Sequence, residues 1–374
     1  MAHQSERHPV AIVHDYLTQR GGAERVVLAM SRVFPEAPIY TLLYEPDGTY
    51  PEFRAKRIIT SPLNHLRWLR RHHRAALPLL PLAAGRLRVS ADVVLASSSG
   101  WAHGVQTEGR LIVYCHNPAR WLYQTNEYLG SGWRALVTRA VLAPLRGPLT
   151  QWDRRAAARA DRYLANSSVV RERVRRLYGI DAEVMFPPAG VSAQGNQQPV
   201  PELLDWSGDG FHLVVSRLLP YKNVDVVIKA FAELAERLVV VGIGPDEERL
   251  RAMAGPNVRV LSGLPDEQLR WTYAHAVALI APSYEDFGLT PLEANAFGKP
   301  VLALRAGGYL DTVAEAVSGL YFEEVTSEAI RAAVAAAANL RWRPHQIMAH
   351  VEAFSEKSFR ARLAELVAQA STSS

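Results

Sequence analysis

Short apolar runs typical of β-strands alternate with helical stretches from one end of the 374-residue chain to the other. Thirteen such runs occur, in this order: VAIVHDY, PIYTLLY, RIITS, DVVLASS, RLIVYCH, RYLANS, AEVMFPP, FHLVVSR, RLVVVGIG, VRVLSG, VALIAPS, PVLALRA and GLYFE. Stretches with helical periodicity, such as NVDVVIKAFAELA and PDEQLRWTYAHA, lie between them. Strands that alternate with helices form mostly parallel sheets. The pattern therefore predicts an α/β fold.

One segment without apolar periodicity, PAGVSAQGNQQPVPE, separates the first seven strands from the last six and reads as a linker. We predict a Rossmann-like domain over 1–190, a linker over 191–208 and a second Rossmann-like domain over 209–355. A C-terminal helix over about 356–372 is expected to pack back on the first domain. Two doubly wound domains would face each other across a cleft, with ligands beyond the carboxyl ends of their strands.

The chain has no obvious membrane or export signal. Its 48% hydrophobic residues are typical of a globular protein, and no apolar run reaches the roughly 18 residues of a spanning helix. The start MAHQSERHPVAIVHDYL lacks the regions of a signal peptide, so we expect a cytoplasmic protein. The single cysteine, Cys115, excludes an internal disulfide and is expected in the core.

The net charge of +5 hides an asymmetry between the two halves. Residues 1–200 contain 26 Lys and Arg against 15 Asp and Glu, a net of +11, and the remainder 16 against 22, a net of −6. The excess of Lys and Arg over Asp and Glu is densest around 64–88, NHLRWLRRHHRAALPLLPLAAGRLR. Such a segment fits an anionic membrane surface, nucleic-acid phosphates or a solvated basic face.

Two loops that follow predicted strands contain residues suited to phosphate. Gly21-Gly22 precedes a helix, where a bare backbone and free amides favour an anion, but an ordinary strand-to-helix turn explains it equally well. Arg217 and Lys222 lie in a loop that opens a helix at Asn223. Two cations there suit a diphosphate without a metal, and neither Asp-x-Asp nor clustered His or Cys is present. The alternative is that both cations are solvated.

The stretch SYEDFGLTPLEA contains two carboxylates eight positions apart, Glu285 and Glu293. Thr290 and Glu293 match a capping box with Pro291 at the first helical position, so Glu293 has a structural explanation. Glu285 precedes the turn and has none. The free amides near Leu289 and Thr290 would meet the same phosphates as Arg217 and Lys222.

His116 ends the predicted strand RLIVYCH, and Pro118 stops regular structure beyond it. A single histidine is usually structural or solvated. At the carboxyl end of a strand, facing the expected cleft, a functional role is equally plausible.

Taken together, these residues resemble the retaining GT-B glycosyltransferases of family 4. The resemblance covers nearly the whole chain and is closest to bacterial mannosyltransferases of polysaccharide and O-antigen assembly. The motifs are GGAE, SSSGWAHG, YCHNPARW, NSSVVRERV, PPAGV, VSRLLPYKNVDVVIKAF, GIGPDEERL, SGLPDEQL and APSYEDFGLTPLEANAFGKPVLA. Their order and the Glu-x7-Glu element are specific for the family and much less specific for the sugar.

The resemblance implies a metal-independent, retaining hexosyltransferase without a cofactor. Its donor would be a nucleotide sugar, first GDP-mannose. The acceptor would be a lipid-linked or saccharide molecule of cell-surface polysaccharide or glycolipid synthesis, reached peripherally at the inner face of the cell membrane. Retention is attributed in this family to attack on the face that the leaving phosphate departs from, so stabilising that phosphate is the main chemical demand.

The resemblance also implies roles for individual residues. Arg217 and Lys222 would bind the diphosphate, and Glu293 the ribose hydroxyls. Glu285 and the backbone of Phe287 and Gly288 would hold the hexose, with His116 beside it. The Gly21-Gly22 loop would close over donor phosphate and acceptor, and Leu289 and Thr290 would complete the donor site. One departure is that Asn117 follows His116 where some members have an acid, so the sequence does not show how His116 is held.

Three other functions are compatible with parts of the sequence. A UDP-hexose donor is possible because base selection depends on backbone contacts that the motifs do not show. A sugar-nucleotide epimerase shares the fold and needs no acceptor. A basic nucleic-acid-binding protein would leave Arg217, Lys222, Glu285 and Glu293 without a joint purpose, so we expect no nucleic-acid partner.

Overall fold

The computed structural model describes residues 7–72, 76, 79–124, 133–190 and 193–372, with only the backbone described over 133–142. The chain divides into two compact units. The first unit comprises residues 1–188 and 356–374, and the second comprises 189–355. Each unit is built on its own parallel sheet.

The described residues of the first unit form seven strands. They are β1 His8–His14, β2 Ile39–Thr41, β3 Ile58–Thr60, β4 Ala91–Ser98, β5 Arg110–Cys115, β6 Arg162–Ala165 and β7 Glu183–Val184. All neighbours are parallel, in the order β3-β2-β1-β4-β5-β6-β7.

Six strands lie in the described part of the second unit. They are β8 Phe211–Val215, β9 Leu238–Val241, β10 Val258–Leu261, β11 Ala276–Ala281, β12 Val301–Leu304 and β13 Gly319–Phe322. These strands are also parallel throughout, in the order β10-β9-β8-β11-β12-β13. The predicted α/β fold and all thirteen predicted strands are confirmed.

Helices connect the strands. In the described residues they are α1 Gly22–Val33, α2 Arg67–Arg71, α3 Leu80–Ala84, α4 Arg120–Tyr123, α5 Trp133–Ala157, α6 Ser168–Tyr178, α7 Val224–Phe231, α8 Glu247–Met253, α9 Asp266–His275, α10 Leu289–Ala296, α11 Tyr309–Thr312, α12 Ser327–Ala338, α13 Pro344–Val351 and α14 Glu356–Thr372. Short 3₁₀ helices supplement them at Pro51–Ala55, Pro62–His65, Ala102–Gly104, Pro201–Trp206, Pro220–Lys222 and Glu352–Phe354.

The order of the strands reverses once in each sheet. In the first unit the chain moves outward from β1 to β3 and then returns to place β4 on the other side of β1. In the second unit β8 and β11 have the same relationship. Loops leave such a pair in opposite directions, which opens a crevice at the carboxyl ends of the two strands. These two positions are therefore where a ligand site is expected.

The central strands of the first unit are buried on both faces. Val13 and Val94 enter one apolar cluster, while Ile12 and Leu95 enter another on the opposite face of the sheet. Successive side chains of a strand point to opposite faces, so a continuous apolar run is required when helices cover both. Cys115, at the end of β5, is 1% exposed, which confirms its predicted place in the core, and burial raises the pKa of its thiol.

The C-terminal helix α14 belongs to the first unit. Phe359 and Leu363 lie in the apolar cluster formed with α1 and the central strands. At its start, Glu356 pairs with Arg32 of α1 at 2.8 Å, and further along, Arg362 pairs with Glu183 at 2.6 Å. Apolar burial and charged contacts thus both join the end of the chain to the first sheet.

The region predicted as a linker is partly folded. Residues 193–200 have no regular structure, but 201–206 form the 3₁₀ helix Pro201–Trp206. Leu203 and Trp206 are buried in a core cluster of the second unit. Arg259 stacks on the Trp206 ring, 3.9 Å from its centroid. Leu203 and Trp206, which lie between prolines and acidic residues in the sequence, therefore fix this stretch to the second unit.

A buried polar network attaches the long helix α5 to the first sheet. Asp153 is fully buried and accepts from His103 Nε2 at 2.9 Å. The hydroxyls of Tyr123 and Tyr178 each donate to its other oxygen at 2.7 Å. A fully buried carboxylate is stable only with such partners, so the network specifies how α5 packs. None of the helices in the described part of the chain combines the length and apolarity that a membrane span requires.

Replacing Leu363 by Ala is expected to lower the free energy of unfolding of the first unit by about 2–5 kcal/mol, because a fully buried side chain leaves a cavity. The control is Leu82→Ala, the same change at a side chain that is 59% exposed, expected to cost less than about 0.5 kcal/mol. Urea unfolding followed by circular dichroism measures both. Equal effects of the two variants would contradict the packing of α14.

Candidate active site

The predicted site residues form one group in each unit, and each group lies at the strand pair where the order reverses. In the second unit the loops after β8 and β11 contain Arg217, Lys222 and Glu285. In the first unit, Gly21-Gly22 follows β1 and His116 follows β5, beside β4. The two groups are described separately below.

An ion pair connects the two loops of the second unit. Lys222 Nζ donates to Glu285 Oε1, and Ser283 Oγ donates to the same oxygen at 2.7 Å. The side chain of Lys222 is only 8% exposed, whereas that of Glu285 is 27% exposed. Asn223 adopts a left-handed conformation after Lys222 and donates from Nδ2 to the Pro282 carbonyl at 3.1 Å. The pair therefore places a desolvated cation beside a partly exposed carboxylate.

A glycine pair behind Glu285 fixes the backbone of its loop. Gly308 N donates to the Glu285 carbonyl at 2.8 Å. A Cβ on Gly307 would lie 2.4 Å from that carbonyl oxygen, and one on Gly308 would lie 2.3 Å from Phe287 Cα. Tyr309 adds a contact from its hydroxyl to Ser283 Oγ at 3.2 Å. Only glycine permits this approach, so the segment after β12 shapes the Glu285 loop.

Arg217 is exposed at the end of β8. Its Nη2 donates to the Tyr221 hydroxyl at 3.2 Å, and the Tyr221 ring lies 5.1 Å from Lys222 Nζ. Arg217 and Lys222 thus share a tyrosine and lie on the same loop. Of the two predicted cations, Arg217 is solvated and Lys222 is buried in an ion pair with Glu285.

Helix α10 begins at Leu289, and Gly288 is its N-cap with φ +85° and no side-chain cap. The predicted capping box is therefore wrong, because Thr290 lies inside the first turn and Glu293 is one turn further along. A Cβ on Gly288 would lie 2.6 Å from the Tyr309 ring, so glycine is required here for space as well as conformation. Without a side-chain cap, the first amides of α10 remain available to an anion.

Glu293 is 6% exposed, and Tyr273 donates its hydroxyl to Glu293 Oε2 at 2.8 Å. It lies four residues after Leu289, so the two residues share one face of α10. Glu285 thus has structural partners, Lys222 and Ser283, that the sequence did not indicate. Glu293 pairs with Tyr273 and does not form the predicted capping box.

In the first unit, the buried carboxylate of Asp15 organises the loop after β4. Asp15 Oδ1 accepts from the amides of Trp101 at 2.8 Å and Ala102 at 2.6 Å, and its Oδ2 accepts from Ser99. Asp15 is 2% exposed. The carboxylate therefore fixes the SSSGWAHG loop to the end of β1.

His116 is held by Ser97, the residue beside it at the end of β4. Ser97 Oγ lies 2.8 Å from His116 Nε2, and His116 N donates to the Ser98 carbonyl at 2.8 Å. His14 pairs with Ser97 in the sheet register and contacts it through Nδ1. Burial and the nearby His14 ring lower the pKa of His116 to about 3, so this ring is neutral at pH 7.

The Gly21-Gly22 turn leads directly into α1, with Gly21 as an extended N-cap. A Cβ on Gly21 would lie 2.6 Å from Glu24 Oε2. A side chain at position 21 would therefore displace the Glu24 carboxylate, which gives Gly21 a structural explanation that the sequence left open. The structure does not bring Gly21 or Gly22 into hydrogen-bond contact with His116.

Sequence reasoning missed His14, Asp15, Glu24 and Tyr309. The first two follow an apolar run in the same way as His116, so the rule that selected His116 would have found them. Glu24 and Tyr309 are revealed only by their three-dimensional contacts. Among the described residues, no cluster of three or more His, Cys, Asp or Glu is arranged to hold a metal ion.

Comparison with known proteins identifies the family. Residues 20–194 match the Glycosyltransferase Family 4 domain, and residues 203–352 match the domain described as Glycosyl transferases group 1. These matches follow the two units closely. The protein belongs to the family 4 glycosyltransferases of the GT-B fold.

Two curated relatives illustrate the range of the family. The D-inositol 3-phosphate glycosyltransferase of Actinosynnema mirum is 34% identical over 194 residues, 45% of this chain and 46% of that protein. A GDP-mannose-dependent alpha-(1-6)-phosphatidylinositol monomannoside mannosyltransferase of Mycolicibacterium smegmatis is 31% identical over 240 residues, 55% of this chain and 63% of that protein. The chain spans about half the length of the curated relatives it matches.

A solved structure supports the fold. HepE of Anabaena, crystallised with UDP, superposes with a TM-score of 0.71 over 96% of this chain and 100% of that one, at 16% identity. At this identity the likeness concerns the fold alone.

Replacing Asp15 by Ala is expected to lower the free energy of unfolding of the first unit by about 2–5 kcal/mol, because three backbone amides lose their acceptor. Asp15→Asn keeps one acceptor oxygen and should cost less. The control is Asp92→Ala, which removes an acid that is 55% exposed, expected to cost at most about 1 kcal/mol. Urea unfolding of the three variants is the measurement. A wild-type midpoint for Asp15→Ala would refute the anchoring role.

Proposed function

We propose that this glycosyltransferase is a retaining, metal-independent hexosyltransferase that transfers mannose from GDP-mannose. Its acceptor is a lipid-linked or saccharide molecule in the synthesis of cell-surface polysaccharide or glycolipid. The observation that supports this best is the Lys222–Glu285 pair, which lies with Arg217 at the carboxyl ends of β8 and β11.

The diphosphate of the donor meets positive charge from two sources. Arg217 is exposed and would exchange its hydrogen bond to the Tyr221 hydroxyl for one to a phosphate, while Lys222 is held by Glu285. The amides at Gly288, Leu289 and Thr290 add a helix N-terminus. Fixed charges stabilise a leaving diphosphate without reorganising, and this chemistry requires no metal.

Glu285 is positioned to bind a sugar hydroxyl. Its Oε1 accepts from Lys222 and Ser283, whereas its Oε2 has no hydrogen bond among the described residues. We assign Oε2 and the neighbouring Phe287 and Gly288 backbone to the transferred hexose. A carboxylate already paired with a lysine is a weak nucleophile, which favours same-face attack over a covalent glycosyl intermediate. In this mechanism the leaving phosphate accepts the proton of the attacking hydroxyl.

The remaining assignments complete the donor site. Glu293, held by Tyr273, binds the ribose hydroxyls from the second turn of α10. His116, neutral at pH 7, contacts the hexose, and the Gly21-Gly22 loop contacts donor phosphate and acceptor. No nucleic-acid partner is proposed.

The sugar and base are proposed from the relatives. The Mycolicibacterium relative uses GDP-mannose and acts on a phosphatidylinositol monomannoside, and its similarity supports a mannosyl donor and a lipid-linked acceptor. The alternative is a UDP-hexose donor, because the Lys222–Glu285 pair binds phosphate and hexose and does not read the base. An epimerase with this fold would act without an acceptor.

We also propose that the protein docks on anionic lipid through the basic segment 64–88, of which residues 73–75, 77 and 78 are outside the described residues. Leu66, which directly precedes α2, is 54% exposed, and Trp68 in α2 is 61% exposed. The neighbouring Arg67 and Arg71 are also exposed. Leu82 is 59% exposed further along. Aromatic and aliphatic side chains flanked by arginines suit a lipid interface, and a lipid-linked acceptor is found there.

Incubation with GDP-mannose and a lipid-extract acceptor is expected to release GDP and form an α-linked mannoside, with the same rate in EDTA. UDP-glucose and UDP-galactose are run in parallel. Release of UDP alone would select the UDP-hexose alternative, conversion without acceptor would indicate an epimerase, and loss of turnover in EDTA would disprove metal independence.

In the same assay Lys222→Met should lower kcat by about 100- to 1000-fold, because a fixed cation at the leaving group is lost. Lys229→Met removes a lysine that is 60% exposed on α7 and serves as the control. Glu285→Gln should also abolish most turnover, compared with Glu324→Gln at an exposed site. Wild-type turnover in Lys222→Met or Glu285→Gln would refute the assigned roles.

Vesicle co-sedimentation tests the lipid surface. Binding to vesicles with anionic phospholipid should exceed binding to zwitterionic vesicles, and the double variant Leu66→Ala/Trp68→Ala should weaken it about tenfold or more. Leu204→Ala/Leu340→Ala changes two exposed leucines of the second unit and is the control. Equal binding to both kinds of vesicle would contradict the proposal.

A further inference from the structure

Glu24, in the first turn of α1, is a buried carboxylate without a hydrogen-bond donor. It is 1% exposed, and neither Oε1 nor Oε2 has a hydrogen-bond partner in the described part of the chain. A Cβ on Gly21 would lie 2.6 Å from Oε2, so a larger residue there would displace the carboxylate. An ionised carboxylate in such a place costs several kcal/mol unless a cation accompanies it. The function proposed above makes no use of Glu24.

His14 is the basic side chain that lies beside Glu24. Its Nε2 lies 3.8 Å from Glu24 Oε1, and both side chains are almost completely buried. Burial lowers the pKa of His14, but Glu24, Asp15 and the Ser97 carbonyl together outweigh burial, so the pKa is raised. The charged and titratable groups around His14 are Glu24 from α1, Asp15 at the end of β1 and His116 after β5.

The other nitrogen of His14 must be a donor. Nδ1 lies 3.0 Å from the Ser97 carbonyl oxygen, which can only accept. Nδ1 also lies 3.1 Å from Ser97 Oγ, so the same N–H is shared between carbonyl and hydroxyl. The hydroxyl oxygen then accepts from His14, and its own proton is directed elsewhere.

We propose that Glu24, His14 and Ser97 form a positioning relay that makes His116 a hydrogen-bond acceptor at Nε2 and a donor at Nδ1. The hydroxyl of Ser97 lies 2.8 Å from His116 Nε2 and donates to it. A neutral imidazole that accepts at one nitrogen has its proton on the other. The Nδ1–H of His116 is thereby directed to substrate. His14 and Glu24 act through His116 and do not touch the reacting atoms.

The relay answers how His116 is oriented although Asn117 follows it. Asn117 Oδ1 accepts from Arg173 Nη1 at 2.7 Å, so this residue is engaged in another buried contact. In the relay, orientation comes from the neighbouring strands β1 and β4 rather than from the next residue. The catalytic consequence rests on the proposed function, because a donor at Nδ1 suits the oxygen of a hexose hydroxyl.

The tautomer of His116 is measured directly, in the full-length enzyme without substrate, by long-range ¹H–¹⁵N correlation spectra of protein labelled in histidine. His14→Asn and His116→Asn assign the signals. At pH 7 the spectra should show His116 neutral with the proton on Nδ1, and a pH series should give His14 a pKa above its ordinary value. A proton on His116 Nε2, or a His14 without a proton on Nδ1, would overturn the relay whatever reaction the enzyme catalyses.

Two variants test the order of the relay. Ser97→Ala should return His116 to the common Nε2–H tautomer, and Ser97→Thr, which keeps the hydroxyl, should restore Nδ1–H. Glu24→Gln should lower the pKa of His14, because the carboxylate that raises it is lost. Ser99→Ala and Glu36→Gln are the controls and should leave the spectra unchanged. An unchanged His116 tautomer in Ser97→Ala would refute the link through the hydroxyl.

Turnover separates this relay from the proposed function. Ser97→Ala should lower kcat about three- to tenfold, the value of one hydrogen bond, with the KM for the donor little changed. Ser97→Thr should recover it. A tautomer that shifts as expected with unchanged kcat would confirm the relay and exclude His116 from the transfer step. Absence of transfer by the wild type, with the expected tautomers, would count against the proposed function alone.

Discussion

The reversal of strand order in each parallel sheet is the constraint on which both site groups depend. Parallel strands all end at one edge, and neighbours whose loops leave in opposite directions keep that edge open. At β1 and β4 the chain places His14 beside Ser97, and at β8 and β11 it brings Lys222 to Glu285. These residues are distant in sequence, and only the topology makes them neighbours.

Each group contains a buried basic side chain beside a carboxylate. Lys222 pairs with Glu285 in the second unit, and His14 pairs with Glu24 in the first. Such pairs contribute little net stability, because desolvation opposes their attraction, but separating the partners leaves an uncompensated charge. Their main effect is to fix the positions of neighbouring side chains. The Lys222–Glu285 pair leaves a carboxylate oxygen of Glu285 for a ligand. The His14–Glu24 pair fixes the orientation of the Ser97 hydroxyl.

The sequence predicted the fold well because its signal is local. A strand buried on both faces needs a continuous apolar run, and every such run was found. The positions of His116, Arg217, Lys222 and Glu285 were predictable because polar residues directly after apolar runs lie at the carboxyl edge. Their partners were not predictable, because register and side-chain direction decide them. The capping box at Thr290 failed for the same reason: Gly288 begins the helix earlier, where Tyr309 leaves room for no side chain.

The packing of Gly307 and Gly308 against the Glu285 loop has a consequence for how such an enzyme can change. Neither glycine has a side chain to offer a ligand, yet even a methyl group at either would collide with the backbone that presents the carboxylate. Substitutions in this loop are therefore best tolerated at positions whose side chains face outward, such as Tyr284, which is 51% exposed. Gly307 and Gly308 offer a ligand no side chain, yet they limit which substitutions the loop can accept as strictly as Glu285 itself does.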